Sequence, residues 1–129
     1  MQIALSDAGL TSEDIDMLVA HATATPLGDA AEIKAINQVH GARANPLPVT
    51  SIKGHIGHTG ASTGAMGVIS AILAMHSSQI PHTAGTTDPE PDALFRVVTT
   101  SPLKADIATA QINAFGFGGQ NASVVIERA

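Results

Sequence analysis

The chain contains no cysteine, tryptophan or tyrosine among its 129 residues, and only three phenylalanines. Without cysteine it can form no disulfide, no thiolate metal site and no cysteine nucleophile of its own. Without a set of aromatic rings it offers no platform on which nucleic-acid bases could stack. The lack of disulfides is compatible with a reducing cytosol, and we expect a cytoplasmic location.

Charged residues and long apolar runs are also scarce. Charged residues make up 13% of the chain, and the net charge is −5. A basic face for nucleic acid or for an anionic membrane is therefore not expected. The longest apolar run, residues 65–75, is too short to span a bilayer. The residues after Met1 lack the basic start of a secretory signal. From the charge and the short apolar run together, we expect neither a nucleic-acid nor a membrane partner.

Apolar residues, in contrast, are plentiful. They make up 44% of the chain, enough to offset the entropy of ordering one domain over residues 1–129. The order strand–helix–strand–helix–strand–strand–strand predicts an α/β fold whose sheet has a parallel part and an antiparallel end. Strands are predicted at 16–22, 47–51, 95–100, 111–115 and 121–128, and helices at 2–9, 30–40 and 63–76.

Two of these helices carry specific expectations. Asp29 is predicted to be the N-cap of the second helix, with Glu32 completing a capping box. The third helix, 63–76, is apolar on almost every side, so we expect it to be buried all round. Its Gly64 and Gly67 would allow another backbone to approach closely.

Polar residues interrupt the pattern at three places. His21 follows the first strand, and the stretch TSIKGHIGHTGASTG, residues 50–64, places Lys53 and His58 after the second strand. The third place is FGFGG, residues 115–119, a glycine turn between two strands. Ligands of α/β sheets bind beyond the carboxyl ends of strands. The first two places are therefore candidate site positions.

Each of these features also has a purely structural interpretation. His21 can be an ordinary satisfied polar residue at a strand end, and FGFGG can be a tight hairpin turn. His55 and His58 have a metal-like spacing, but no cysteine or carboxylate stands near them, so we expect no metal site. GASTG resembles a phosphate cradle but lacks the residue order of a P-loop. Three further histidines are interpreted as surface or helix-end residues: His40, His76 and His82.

Three motifs in a fixed order are more specific than any one of them. HATATPLGD, SIKGHIGH and NAFGFGGQN follow one another in the chain. Together they resemble the C-terminal half of β-ketoacyl-acyl-carrier-protein synthases, the condensing enzymes of fatty-acid and polyketide synthesis, over residues 1–128. The resemblance implies one half of a thiolase-like fold, with a mixed five-stranded sheet, helices on both faces and a buried core helix. It also implies decarboxylative condensation of acyl and malonyl thioesters, with acyl carrier protein as a partner and no cofactor beyond its phosphopantetheine arm.

The resemblance further implies roles for individual residues. His21 and His58 match the two catalytic histidines, and Lys53 matches the catalytic lysine. Two imidazole N–H groups can stabilise the enolate oxygen that decarboxylation leaves. Phe117 matches a gating phenylalanine whose backbone N–H serves the oxyanion hole. The residues implied to contact substrate are Thr23, Thr25, Phe115, Phe117 and Gly118.

The sequence also departs from the family pattern. The family's nucleophilic cysteine lies in an N-terminal half, so we expect this chain to be inactive alone and to need that half as a partner. We also expect a homo-oligomer, because the apolar helix 63–76 offers a face for self-association. Ala22 replaces the usual glycine after His21, and residues 61–64 read Ala-Ser-Thr-Gly in place of Gly-Ala-Ala-Gly. Gly67 replaces a buried glutamate, which is expected to alter the support around Lys53. Two alternatives stay open: a non-condensing subunit that resembles a chain-length factor, and a thiolase-fold binding module without turnover.

Overall fold

The computed structural model describes all 129 residues. The α-helices are α1 (Gln2–Ala8), α2 (Pro26–His40), α3 (Lys53–Ile56) and α4 (Thr63–Ser77). The strands are β1 (Met17–Val19), β2 (Pro48–Thr50), β3 (Gln79–Ile80), β4 (Arg96–Val97), β5 (Leu103–Lys104), β6 (Thr109–Phe115) and β7 (Asn121–Glu127). Short 3₁₀ turns occupy Ser12–Asp14, Gly60–Ser62 and Phe117–Gly119.

Five of the strands form one mixed sheet in the order β4-β2-β1-β6-β7. The first four are parallel, and β7 runs antiparallel to β6. In the centre, Leu18 of β1 lies between Val49 of β2 and Gln111 of β6. The predicted parallel part with an antiparallel end is confirmed, although the strand predicted at 95–100 is reduced to the two residues of β4. The antiparallel pair of β3 and β5, which was not predicted, forms a separate ladder.

Alternate residues of β1 pack against helices on opposite faces of the sheet. Met17 and Val19 belong to the apolar cluster that contains Ala71 of α4. Leu18 belongs to a second cluster, which contains Ile36 of α2. Successive side chains of a strand point to opposite faces, so helices cover both faces of the sheet. This confirms the predicted fold class.

Helix α4 is buried on one face only, which corrects the prediction that it is buried all round. Gly67 and Ala71 are buried, whereas Ile69 and Leu73 are 50% and 62% exposed. A Cβ at Gly67 would lie 2.8 Å from Ile112 Cγ2. The lack of a side chain at Gly67 therefore lets α4 pack closely on the sheet of this chain. Since α4 packs on this one sheet only, its opposite face stays exposed. None of the helices combines the length and the apolarity that a bilayer crossing requires.

Helix α2 begins three residues before the predicted cap. Thr25 is its N-cap, and Pro26 takes the first helical position, where the fixed φ of proline is favourable. The Asp29 N–H donates to the Thr25 carbonyl over 2.9 Å. Asp29 is thus inside the helix, and the predicted capping box with Glu32 is wrong. The buried residues of α2 are spaced four apart: Glu32, Ile36 and His40.

Candidate functional site

Three parallel strands end at one edge of the sheet, and each brings a candidate residue to that edge. His21 follows β1, Lys53 follows β2, and Phe115 ends β6. Because β1 lies between β2 and β6, the three residues meet. Lys53 Nζ donates to the His21 carbonyl. The Phe115 N–H donates to His21 Nδ1 over 3.2 Å, so His21 lies at the centre of this group.

His58 reaches the same place from a loop. It lies between α3 and α4, where Gly57 and Gly60 have positive φ angles of 76° and 62°. Its ring centroid is 5.5 Å from that of His21, and the two rings are nearly perpendicular at 86°. The Phe115 ring also lies 5.5 Å from the His21 ring. The structure therefore brings the two candidate histidines side by side.

The hydrogen bonds of both imidazoles determine which nitrogen carries the proton. A backbone N–H can only donate, so the Phe115 N–H makes His21 Nδ1 an acceptor. The Gly60 N–H does the same for His58 Nδ1 over 3.2 Å. A neutral imidazole has a single N–H, which in both rings is then on Nε2. Neither Nε2 atom bonds within the chain, so both are free to donate to a ligand.

Burial and nearby positive charge favour the neutral form of His21. Partial burial is the main cause that lowers the pKa of His21, and Lys53 and His58 lower it further. Burial also lowers the pKa of Lys53, while the carboxylates of Glu32 and Asp29 oppose that shift. Near neutral pH, His21 is therefore an uncharged hydrogen-bond donor.

A buried carboxylate holds the backbone of His21 in place. Glu32 is 4% exposed, and its oxygens accept the N–H of His21 over 2.9 Å and that of Ala22 over 2.7 Å. The Asn113 amide donates to the same carboxylate over 3.1 Å. Ala22 has a φ of 34°, in the left-handed region that non-glycine residues rarely adopt. The bonds to Glu32 hold Ala22 in this conformation, at the position where the family pattern has glycine.

A line of buried polar side chains continues from Asn113 to the far end of α2. Ser123 Oγ donates to Asn113 Oδ1 over 3.0 Å, and Gln111 Nε2 donates to Ser123 Oγ over 3.1 Å. His40 Nε2 lies 2.8 Å from Gln111 Oε1. His40 does end the helix, but it is 1% exposed, so it is not a surface residue. Each side chain in this line is hydrogen-bonded to the next, as buried polar groups require. The exception is His40 Nδ1, which is buried and has no partner.

The residues predicted to contact substrate are all half-buried or exposed. The Thr23 and Thr25 hydroxyl oxygens are 3.3 Å apart. Gly118 has a φ of 78° inside the turn Phe117–Gly119. The Phe117 side chain is fully exposed and packs against no other part of the chain. The structure thus brings the two threonines together and leaves the Phe117 ring free.

The metal-like spacing of His55 and His58 does not create a shared site. His55 Nε2 lies 2.8 Å from the His82 carbonyl oxygen, and the two rings meet edge to face at 4.8 Å. The His58 ring lies beside His21 instead. No three histidine or acidic side chains are grouped so that they could bind a metal ion.

Comparison with known sequences identifies relatives of the chain. The sequence profile described as β-ketoacyl synthase, C-terminal domain, matches residues 1–87. The chain is also similar to the 3-oxoacyl-[acyl-carrier-protein] synthase 2 of Staphylococcus aureus (strain COL). The two are 37% identical over 128 residues, which cover 99% of this chain and 31% of that protein. The chain thus spans about a third of the length of the curated relatives it matches.

Comparison with solved structures identifies the fold. The ishigamide ketosynthase/chain length factor matches with a TM-score of 0.92 and 33% identity, over 99% of this chain and 31% of that one. One chain from the complex of a type II PKS acyl-carrier protein with its ketosynthase bound to the hexaketide matches with a TM-score of 0.92 and 26% identity, again over 99% of this chain and 31% of that one. The architecture is therefore that of thiolase-like ketosynthases, as the fold class predicted.

Proposed function

Because the chain belongs to the β-ketoacyl synthase family, to its C-terminal domain, we propose that it is the enolate-stabilising part of a 3-oxoacyl-acyl-carrier-protein synthase. The proposed reaction is the decarboxylative Claisen condensation of acyl and malonyl thioesters. One observation carries the proposal: His21 and His58 lie with their rings 5.5 Å apart, and both have Nδ1 occupied as an acceptor.

In the proposed reaction, His21 and His58 donate hydrogen bonds to the thioester oxygen of the malonyl group. Loss of carbon dioxide leaves an electron pair that delocalises onto this oxygen as an enolate. Donors that already point at the place where charge develops stabilise the transition state more than the ground state. The enolate carbon then attacks the acyl thioester, forms the new carbon–carbon bond and releases the thiol that held the acyl group.

The other predicted residues have supporting roles in this proposal. Lys53 donates to the His21 carbonyl and so positions the backbone from which the imidazole projects. Thr23 and Thr25 line the path of the pantetheine arm. The turn that contains Phe117 and Gly118 presents the Phe117 N–H to the acyl carbonyl beside Phe115. The substrates arrive on the phosphopantetheine arm of acyl carrier protein, and no other cofactor takes part.

The proposed reaction needs a thiol nucleophile from a partner, because the chain has no cysteine. The thiol nucleophile comes from an N-terminal half of the synthase. This agrees with the Staphylococcus aureus relative, of which this chain covers only 31%. Acyl carrier protein is the proposed substrate carrier; the similar ketosynthase above is in complex with one. The proposed site of action is the cytoplasm.

The test is to join the chain to a cysteine-bearing N-terminal half and to measure two steps separately. His21→Ala and His58→Ala should each slow carbon dioxide release from malonyl-carrier by about 10²–10³, the effect of losing one oxyanion donor. Acyl transfer to the cysteine should be affected less. His76→Ala, at an exposed histidine of α4, is the control. Unchanged carbon dioxide release in both site variants would contradict the proposed roles, as would ketoacyl product from the 129-residue chain alone.

The same experiment separates condensation from the alternative of a non-condensing partner subunit. Such a subunit has no need of His21 beside His58, or of Lys53 bonded to the His21 carbonyl. If the joined protein accepts acyl groups but never releases carbon dioxide, the partner-subunit alternative is favoured.

The exposed face of α4 is the proposed site of self-association in the isolated chain. Ile69 and Leu73 are 50% and 62% exposed, and contiguous apolar patches of this kind mark contact surfaces. The isolated chain should therefore dimerise through this face or aggregate. Ile69→Gln with Leu73→Gln should reduce association in sedimentation at tens of micromolar, whereas Leu27→Gln, at an exposed residue of α2, should not. A dispersed wild-type monomer that binds no hydrophobic dye would contradict this.

A further inference from the structure

His58 has a second hydrogen-bond partner that the proposed mechanism does not use. Thr63 Oγ1 lies 3.1 Å from His58 Nδ1, and Thr59 Oγ1 lies 3.4 Å from Thr63 Oγ1. Thr63 is the first residue of α4, which packs on the sheet. Gly60, the other partner of His58 Nδ1, belongs to the same turn as His58 itself. Thr63 is thus the one hydrogen-bond partner of the His58 ring that lies on a long helix.

We propose that Thr63 is a positioning residue for His58. Its hydroxyl holds Nδ1 as an acceptor, which keeps the proton on Nε2 and the ring beside His21. The need for such a residue follows from the loop. Gly57 and Gly60 flank His58 with positive φ angles, and glycine restricts the backbone less than any other residue. A bond to Gly60 moves with this loop, whereas a bond to Thr63 ties the ring to α4.

The direction of the hydrogen bonds supports this role. A threonine hydroxyl can donate or accept, but the Gly60 N–H already points at Nδ1, which must therefore carry a lone pair. Thr63 then donates to Nδ1, and Thr59 can donate to Thr63 Oγ1. A proton on Nδ1 would face the Gly60 N–H directly. Both partners thus oppose the tautomer in which Nε2 has no proton to donate.

The catalytic meaning of this role rests on the proposed function, but the tautomer itself does not. It can be measured on the isolated chain, without turnover, carrier or N-terminal half. A failure of condensation would leave the Thr63 assignment intact, and a failure of the Thr63 assignment would leave the family function intact.

The test is the tautomer ratio of His58 in the ¹⁵N-labelled full chain, read from long-range ¹H–¹⁵N correlations at a pH where the ring is neutral. Thr63→Val keeps the shape of the side chain and removes the hydroxyl. It should lower the ratio of Nε2–H to Nδ1–H in His58 about 2- to 10-fold, the effect of one hydrogen bond. Thr63→Ser keeps the hydroxyl and should retain the wild-type ratio. Thr86→Val makes the same change at a half-buried threonine that is not a hydrogen-bond partner of His58, and should also retain it.

Two results would overturn the proposal. One is an unchanged His58 ratio in Thr63→Val, with the fold verified by the backbone amide spectrum. The other needs no variant: a wild-type His58 that is mainly in the Nδ1–H form contradicts the assignment directly. If Thr63→Val does not fold, Thr63→Ala removes the same hydroxyl and must show the same loss. The His21 ratio should stay constant throughout, since the His21 ring bonds to the Phe115 N–H and not to Thr63.

Discussion

The two histidines of the site lie 5.5 Å apart but are held by different kinds of structure. Contacts from distant parts of the chain hold His21: its N–H donates to buried Glu32, and its carbonyl accepts from Lys53. Local contacts hold His58: its ring bonds to Gly60 and Thr63, within five positions of it in the chain. One half of the site is thus part of the core, and the other half is a loop attached to it.

Because of this difference, the two histidines should contribute differently to the folding free energy of the chain. A group that is tied into the core cannot be changed without loss of folding free energy, whereas an exposed loop can rearrange while the rest of the domain stays folded. Both histidines should matter equally for the proposed chemistry, but only His21 should matter for the fold.

The largest expected effect comes from removing the carboxylate behind His21. Glu32→Ala leaves the N–H groups of His21 and Ala22 and the Asn113 amide without their acceptor. Urea unfolding should show a loss of about 3–5 kcal/mol, because each buried donor left without an acceptor costs about 1–3 kcal/mol. Glu13→Ala, at an exposed glutamate, should change stability by less than about 0.5 kcal/mol. Equal effects of the two substitutions would refute a supporting role for Glu32.

The second prediction compares the two histidines directly. His21→Ala removes the acceptor of the Phe115 N–H at a half-buried position and should cost about 1–2 kcal/mol. His58→Ala acts on an exposed loop and should stay within about 0.5 kcal/mol. Thermal unfolding of the two variants measures the difference. If His58→Ala is as destabilising as His21→Ala, the division between core and loop is wrong.

The third prediction concerns pH. Burial lowers the pKa of both His21 and His40 from the ordinary value of 6.5. As the pH falls through about 6.5, the unfolded chain takes up protons that the folded chain does not, so the free energy of unfolding must decrease. The slope for each histidine is at most about 1.4 kcal/mol per pH unit.

Urea unfolding between pH 7.5 and 5.5 measures this slope. Replacing both members of a buried pair, His40→Leu with Gln111→Leu, should flatten the slope, because one of the two groups no longer titrates. His76→Asn, at an exposed histidine, should leave it unchanged. A protein that becomes more stable as the pH falls would contradict the lowered pKa values.

The smallest expected effect tests the strained backbone beside His21. Ala22 has a φ of 34°, a conformation that glycine adopts without the steric cost of a Cβ. Ala22→Gly should therefore stabilise the chain by about 0.5–1 kcal/mol. The same substitution at Ala30, an exposed position in α2, should destabilise it by about 1 kcal/mol. If both variants lose stability, Ala22 is not strained.

The parallel part of the sheet with its antiparallel end, and the positions of His21 and Lys53 after strands, could be predicted from the sequence. Both follow short apolar runs, and parallel strands bring their carboxyl ends to one edge. The role of Glu32 could not be predicted from a helix-cap pattern, because its partners are backbone groups of a preceding loop. A signal was nevertheless present: Glu32 lies four residues before Ile36 on the same helix stripe, and a polar residue on a buried stripe requires a partner.

Pairings between distant residues were beyond the reach of the sequence. His40 and Gln111 are 71 positions apart, and their contact depends on the register between α2 and the sheet. The surroundings of Gly67 and Lys53 also depend on contacts between distant residues. Gly67 was expected to alter the support around Lys53, because it replaces a glutamate of the family pattern. The structure places Gly67 against Ile112, and the carboxylates that act on Lys53 belong to Glu32 and Asp29.

The central position of β1 also has a consequence for how the chain acquires its fold during synthesis. One neighbour of β1, strand β2, follows it closely, but the other, β6, is translated roughly ninety residues later. Contacts between such distant segments close slowly, because a long loop must be ordered before they form. Until β6 has left the ribosome, Met17 and Val19 lack the apolar contacts that Ala110 and Ile112 provide. The nascent chain should therefore remain a substrate for chaperones until its last strands are made.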